Sequence, residues 1–117
     1  MRKDIENLCI GGFPFTIRFV DKSEIEGSDG LCCHNERVIK IRNDLDNIAT
    51  RTIIMHEITH ALLGTQGRVY QQKFSVEELC EFIAYRFPEL THIYETITYQ
   101  IMSKVLKDDQ NNEIYPY

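Results

Sequence analysis

His56-Glu57-Ile58-Thr59-His60 is the segment of this chain whose residue types and spacing can do chemistry. On a helix, residues four apart lie on one face, one turn from each other, so both imidazoles can reach a single metal ion. Glu57 is adjacent on the helix surface and can reach a ligand bound to that ion. The pattern His-Glu-x-x-His is a zinc-hydrolase signature in which the glutamate serves as general base. The setting sharpens this reading. Thr52 to Leu63 is strongly apolar, and two imidazoles and a carboxylate in such a helix cost several kcal/mol to desolvate unless partnered. A zinc ion is an efficient partner. The bland alternative is a partly exposed polar stripe with ordinary hydrogen bonds.

A catalytic zinc takes three protein ligands and keeps a further position for water. The extended pattern ending in a third histidine is absent, because Leu63 and Gln66 stand where its Gly and His belong. The third ligand is then expected from a glutamate on the next helix, and Glu77, Glu78 and Glu81 are the candidates. Ser75 to Glu78 forms a capping box, which turns Glu78 back toward the Ser75 amide. Glu77 and Glu81 are four apart and share a face, where two like charges destabilise by a few tenths of a kcal/mol. An ion and an imidazole between them would remove that cost. Glu77 is therefore expected as the third metal ligand, with Glu81 accepting a histidine N–H behind it. The ranking of these two stays open.

The elements that must position these residues fall into two halves. Residues 5–10, 15–20, 30–33 and 36–42 read as strands, with Phe15, Ile17 and Phe19 on one face. Residues 21–30 are acidic and glycine-containing and read as a loop. His34-Asn35-Glu36 suits a hairpin turn. The motif helix is expected over 46–63, capped by Asn43-Asp44 or Asp46 and ended at Gly64. After a loop over 65–74, a second helix begins at Ser75, with Val76, Leu79/Cys80, Ile83 and Phe87 facing the core. Pro88 is expected to break it. A third helix runs over 89–107 with Ile93, Ile97, Ile101 and Val105 on one stripe, and the last ten residues fray. The expected fold is α+β: a small antiparallel sheet packed on the motif helix, with two further C-terminal helices.

Composition bounds the function. The 117 residues suit a single domain over 1–117 with its core at about 13–107. Hydrophobic residues at 43% and charged residues at 26% are a globular mixture. The net charge of −5 and the scattered basic residues exclude a clustered basic face, so neither nucleic acid nor a membrane surface is an expected partner. No apolar run approaches a membrane span, and the acidic start does not read as a signal peptide, so a cytoplasmic setting is expected. In that setting Cys9, Cys32, Cys33 and Cys80 are expected as thiols. Cys32-Cys33-His34 reads as small hydrophobes and a surface histidine more readily than as a second metal site.

Met55 to Leu63, followed by Glu77-Glu78-Leu79-Cys80-Glu81-Phe82-Ile83-Ala84, resembles the ImmA/IrrE family of small zinc metallopeptidases. The resemblance spans roughly residues 13 to 87. It implies a minimal zincin-like fold, Zn2+ as cofactor, His56, His60 and Glu77 as ligands, Glu57 as base and Cys80 at a small core position. Glu81 replaces the family's usual Asn or Asp. Short members occur in phages, prophages and mobile elements. Together these observations lead to an expected hydrolysis of a peptide or protein substrate by zinc-bound water that Glu57 activates. A non-catalytic metal-binding interaction protein and a zinc hydrolase of a non-peptide bond are the rival readings. Tyr85, His92, Tyr94 and Tyr99 are the candidates for stabilising an oxyanion.

Overall fold

A computed structural model describes residues 2–67 and 73–108. Its elements are β1 (Ile5–Ile10), β2 (Phe13–Val20), a short 3-10 turn at Lys22–Ile25, β3 (Gly30–Cys33), β4 (Val38–Arg42), α1 (Asn47–Thr65) and α2 (Val76–Asp108). The class is α+β, as the residue patterns predict. The strands form one sheet in the order β1-β2-β4-β3.

The sheet is mixed, which corrects the antiparallel expectation. β1 pairs antiparallel with β2, and β3 with β4, but β2 and β4 run parallel from Thr16↔Val38 to Val20↔Arg42. The reason lies in the connection. After β2 the chain passes through the 3-10 turn and lays β3 at the far edge, then turns back through His34–Arg37 and places β4 beside β2 in the same direction. Alternating hydrophobicity specifies which side chains share a face and carries no information on strand direction.

Phe15, Ile17 and Phe19 of β2 and Ile39 and Ile41 of β4 are buried on the helix-facing side. They meet Ile54, Ile58, Ala61 and Leu62 of α1 and Ile93, Ile97 and Ile101 of α2 in one core. That core also takes in Ile5, Leu8 and Ile10, so it begins well before residue 13. The Ile93/Ile97/Ile101 stripe is thus core, as expected. The side chain of Val105, residues 68–72 of the expected loop and the last residues expected to fray lie outside the described residues.

Asp46 is the cap of α1, its Oδ1 accepting from the Ala49 amide at 2.8 Å. Gly64 does not end the helix. α1 runs on to Thr65, and Gly67 with φ +76° takes the left-handed position beyond it. The capping box forms as predicted: the Ser75 amide donates to Glu78 Oε1 and the Glu78 amide to Ser75 Oγ, both at 3.1 Å.

Pro88 does not break the chain into two helices, and α2 is continuous through it. An interior proline removes one backbone hydrogen bond, here to the carbonyl of Ala84. Ala84 and Pro88 are both exposed, so the loss falls on the solvent side. Tethers hold the helix on both sides of the break. The Gly11 amide donates to Glu89 Oε2 at 2.7 Å. In the amide orientation that satisfies both groups, Gln66 accepts from Arg86 Nε and Nη2 at 2.8 and 2.9 Å.

A second departure is on α2. Val76, Leu79, Cys80, Ile83 and Phe87 are exposed, Val76 by 80% and Phe87 by 60%. In the first three turns Phe82 packs against the core, and these five side chains do not. Cys80 therefore does not occupy the small core position that the resemblance implies.

The β1–β2 turn packs on the end of α1 through Gly11, where φ is +59° and an added Cβ would fall on the Thr65 side chain. At Gly12 φ is +88°, and nothing lies within 4 Å. Gly12→Ala should therefore cost only the left-handed backbone penalty of ~1–2 kcal/mol, whereas Gly11→Ala adds overpacking and should cost ~2–4 kcal/mol. Denaturant unfolding of the two variants, and of Gly11→Ala combined with Thr65→Ala, measures this. The combined variant should recover part of the loss. Equal costs at Gly11 and Gly12 would refute the packing account.

Candidate functional site

α1 carries the motif as the apolar spacing demands. Ile54, Ile58, Ala61 and Leu62 turn it onto the sheet, and this rotation leaves His56 and His60 on the outer face. Their ring centroids stand 5.0 Å apart with planes at 68°. The His56 side chain is 63% exposed, while that of Glu57, the next residue, is buried. Glu57 Oε2 lies 3.9 Å from His56 Nε2. That is too long for a hydrogen bond and short enough for strong electrostatic coupling.

Glu57 is buried because β3 lies against it. A Cβ on Gly30 would come 2.7 Å from Ile53 Cγ2 and 3.1 Å from Glu57 Cγ. Only glycine permits this approach of strand and helix. Gly30 and Cys32 pair with Ile41 and Ile39 of β4 and so share their helix-facing side, and His34 opens the turn that follows the strand. Cys32 is half-buried against the core, and its Sγ lies 3.8 Å from His34 Nδ1. Cys33 points to the opposite face, so the vicinal thiols cannot act together. His34, expected at the surface, is instead partly buried beside the motif.

Burial pushes the Glu57 carboxyl above its ordinary range, and His56, His60 and His34, in that order, pull it back. The same burial, with the Glu57 charge second, pushes the Cys32 thiol up to about 12.

α2 contributes none of this. Glu77 sits exposed on its first turn, and Glu81 is exposed near Gln66, Glu78, Phe82 and Tyr85, which line a shallow depression beyond the end of α1. Among the described residues no three His, Cys, Asp or Glu side chains are grouped so that they could hold one metal ion. The residues present thus fit a zinc in part. His56 and His60 offer two donors beside a buried carboxyl, and Glu77 does not stand with them. Tyr85, His92, Tyr94 and Tyr99 are all exposed on α2.

Comparison with known protein families, curated proteins and solved structures finds no match. Among the described residues no helix is long and apolar enough to cross a membrane.

Two predictions follow from the electrostatics. All four cysteines are free, and Cys9 and Cys80 are exposed. With its thiol pushed up to about 12, Cys32 holds about a thousandfold less thiolate at pH 8 than an ordinary cysteine, since each pKa unit is tenfold. Alkylation followed by mass spectrometry should label Cys9 and Cys80 first and Cys32 last. Early labelling of Cys32 would contradict its burial.

The second concerns stability. A carboxyl whose pKa is raised on folding supports the fold when protonated and weakens it as pH rises through the folded value. In metal-free protein at pH 7, Glu57→Gln should therefore be more stable than wild type, with the gap closing as pH falls below the ordinary carboxylate range. Thermal unfolding at several pH values measures this, and a destabilised variant at pH 7 would contradict the assigned cause.

Proposed function

We propose that this chain is a zinc-dependent metallopeptidase in which His56 and His60 hold the metal and Glu57 is the general base. The observation that carries this reading is the placement of a buried carboxyl between an exposed histidine pair and an edge strand. Zinc, when bound, supplies Lewis acidity and brings a water toward ionisation near neutral pH.

The chain's own residues supply the rest. Glu57 Oε2 takes a proton from the attacking water and later returns it to the leaving amine. The burial of Glu57 suits both halves of that task, because a carboxyl raised toward neutrality binds a proton more readily and can still release it. β3 is an edge strand with one side unpaired within the sheet. A peptide substrate adding to it as an extended strand would run past Glu57. The reading places the protein in the cytoplasm, with its thiols reduced, and keeps phage or prophage origin as its context.

A second reading, metal binding without turnover, draws on the separation of Glu77 from the two histidines. One experiment separates the two readings. Purified protein supplied with zinc should retain close to one equivalent and cleave an unfolded protein. Glu57→Gln should keep the zinc and lose turnover by ~10²–10⁴-fold, the usual contribution of a general base. Zinc retention without turnover in wild type would select the second reading. A Glu57→Gln variant as active as wild type would remove Glu57 from the chemistry.

A further inference from the structure

The apolar stripe of α2 does not stop where the core stops. Ile101, Ile97 and Ile93 are buried and Leu90 packs against them. Phe87, Ile83, Leu79 and Val76 continue the stripe toward the start of the helix at steps of three and four residues. Each of these four is half or more exposed. They cover about three turns, or ~17 Å of helix. Helices of folded proteins bury such a stripe, and a contiguous exposed one marks a contact surface. We infer that these first turns of α2 are a docking face for a cationic amphipathic helix of another protein.

Charge selects that occupant. Over 76–95 the helix carries Glu77, Glu78, Glu81, Glu89 and Glu95 against a single base, Arg86. Lys73 stands before the helix begins. Arg86 is engaged within the chain, with Gln66 and with Glu89. Glu89 also accepts from the Gly11 amide, and Glu78 closes the capping box. Glu77 and Glu81 stand exposed on the turns that bear the stripe. The apolar face is thus set in a negative helix.

A second copy laid on this face would bring acids against acids, and like charges oppose pairing. An anionic membrane surface is repelled for the same reason. A helix with lysine or arginine beside its apolar side meets both features, with aliphatic side chains for Val76, Leu79, Ile83 and Phe87 and cations for Glu77 and Glu81. The shape agrees. A stripe at helical spacing presents a ridge that the grooves of another helix accept. A helix docked there would carry the apolar contact along α2 beyond Leu90, where the chain's own core leaves it.

The face is also preformed. Gln66 holds Arg86 before Pro88, and Gly11 holds Glu89 after it. Binding to turns already held in place loses less free energy to ordering.

The test uses the full chain and two synthetic helical peptides of about 18 residues, five turns each. One is leucine and lysine in amphipathic order, and the other has glutamate at every lysine position. Binding is followed by calorimetry at low and high salt. The lysine peptide should bind at one per chain, more weakly as salt rises, and the glutamate peptide should not bind. Leu79→Gln and Ile83→Gln should each weaken the lysine peptide ~10-fold or more, as loss of a buried aliphatic side chain does. Glu77→Gln combined with Glu81→Gln should flatten the salt dependence. Ile48→Gln, which alters an exposed isoleucine of α1, should bind as wild type does. The altered side chains are exposed, so thermal unfolding should show every variant folded.

Four results overturn the inference. The glutamate peptide binds as well as the lysine peptide, or neither binds. Leu79→Gln and Ile83→Gln bind as wild type does. Sedimentation of the chain alone shows a dimer that Ile83→Gln dissociates, which gives the face to a second copy. Phosphatidylserine-containing vesicles bind wild type and release Ile83→Gln, which gives it to a membrane.

Discussion

The close approach of β3 to α1 at Gly30 is the contact on which the site depends. A side chain there would meet Ile53 and Glu57 and push the strand away from the helix. With the strand in place, Glu57 loses water on one side and gains a wall of backbone. Its neighbours on the other side are the two motif histidines, which stay open to solvent. The motif helix alone would give three polar residues on a surface. The strand turns them into a buried carboxyl beside exposed imidazoles.

That buried carboxyl stands because the rest of the fold is apolar and well tethered. Burying a carboxyl costs free energy unless it is protonated or paired. Ile54, Ile58, Ala61 and Leu62 hold α1 against Ile17, Ile39 and Ile41, and each buried Ile or Leu side chain contributes ~1.5–3 kcal/mol. Further out, Gly11 joins the β1–β2 turn to Glu89 and to Thr65, and Arg86 meets Gln66. These polar links gather the turn, the end of α1 and the middle of α2 at the edge of the core.

Much of this was legible in the residues, and the gaps have physical causes. The alternation of Phe15, Ile17 and Phe19 located β2, and the i, i+4 spacing of His56 and His60 placed both rings on one face. Asp46 and the Ser75–Glu78 box marked two helix starts by hydrogen-bonding capacity alone. Direction in the sheet was not legible, because parallel and antiparallel strands share the same alternation. Pro88 misled because the cost of an interior proline is local, while the burial of Ile93, Ile97 and Ile101 and the link from Gly11 to Glu89 act on the helix as a whole. Val76, Leu79, Ile83 and Phe87 misled for a related reason. They continue the side of α2 that carries the buried isoleucines, but periodicity reports that residues share a face and not that anything meets that face. Glu77 and Glu81 lie on these same turns and stand exposed.

The surroundings of Glu57 also show why the part played by the strand was hard to see. His34 is separated from His56 by the whole of β4 and the start of α1, and no spacing rule links a strand end to a helix face. What links them is the pairing of β3 with β4, which turns Gly30 and Cys32 toward α1 and leads into the turn that carries His34. Position 30 must be small to admit Glu57, and position 32 fills the apolar gap with a sulfur that burial keeps protonated. The Glu57 carboxyl meets this wall on one side and imidazoles on the other. Desolvation raises its proton affinity and the imidazoles lower it, so the two influences oppose each other on a single group. A carboxyl set by opposing influences of this kind can take up a proton and give it back, and the strand that buries it supplies one influence while the three histidines supply the other.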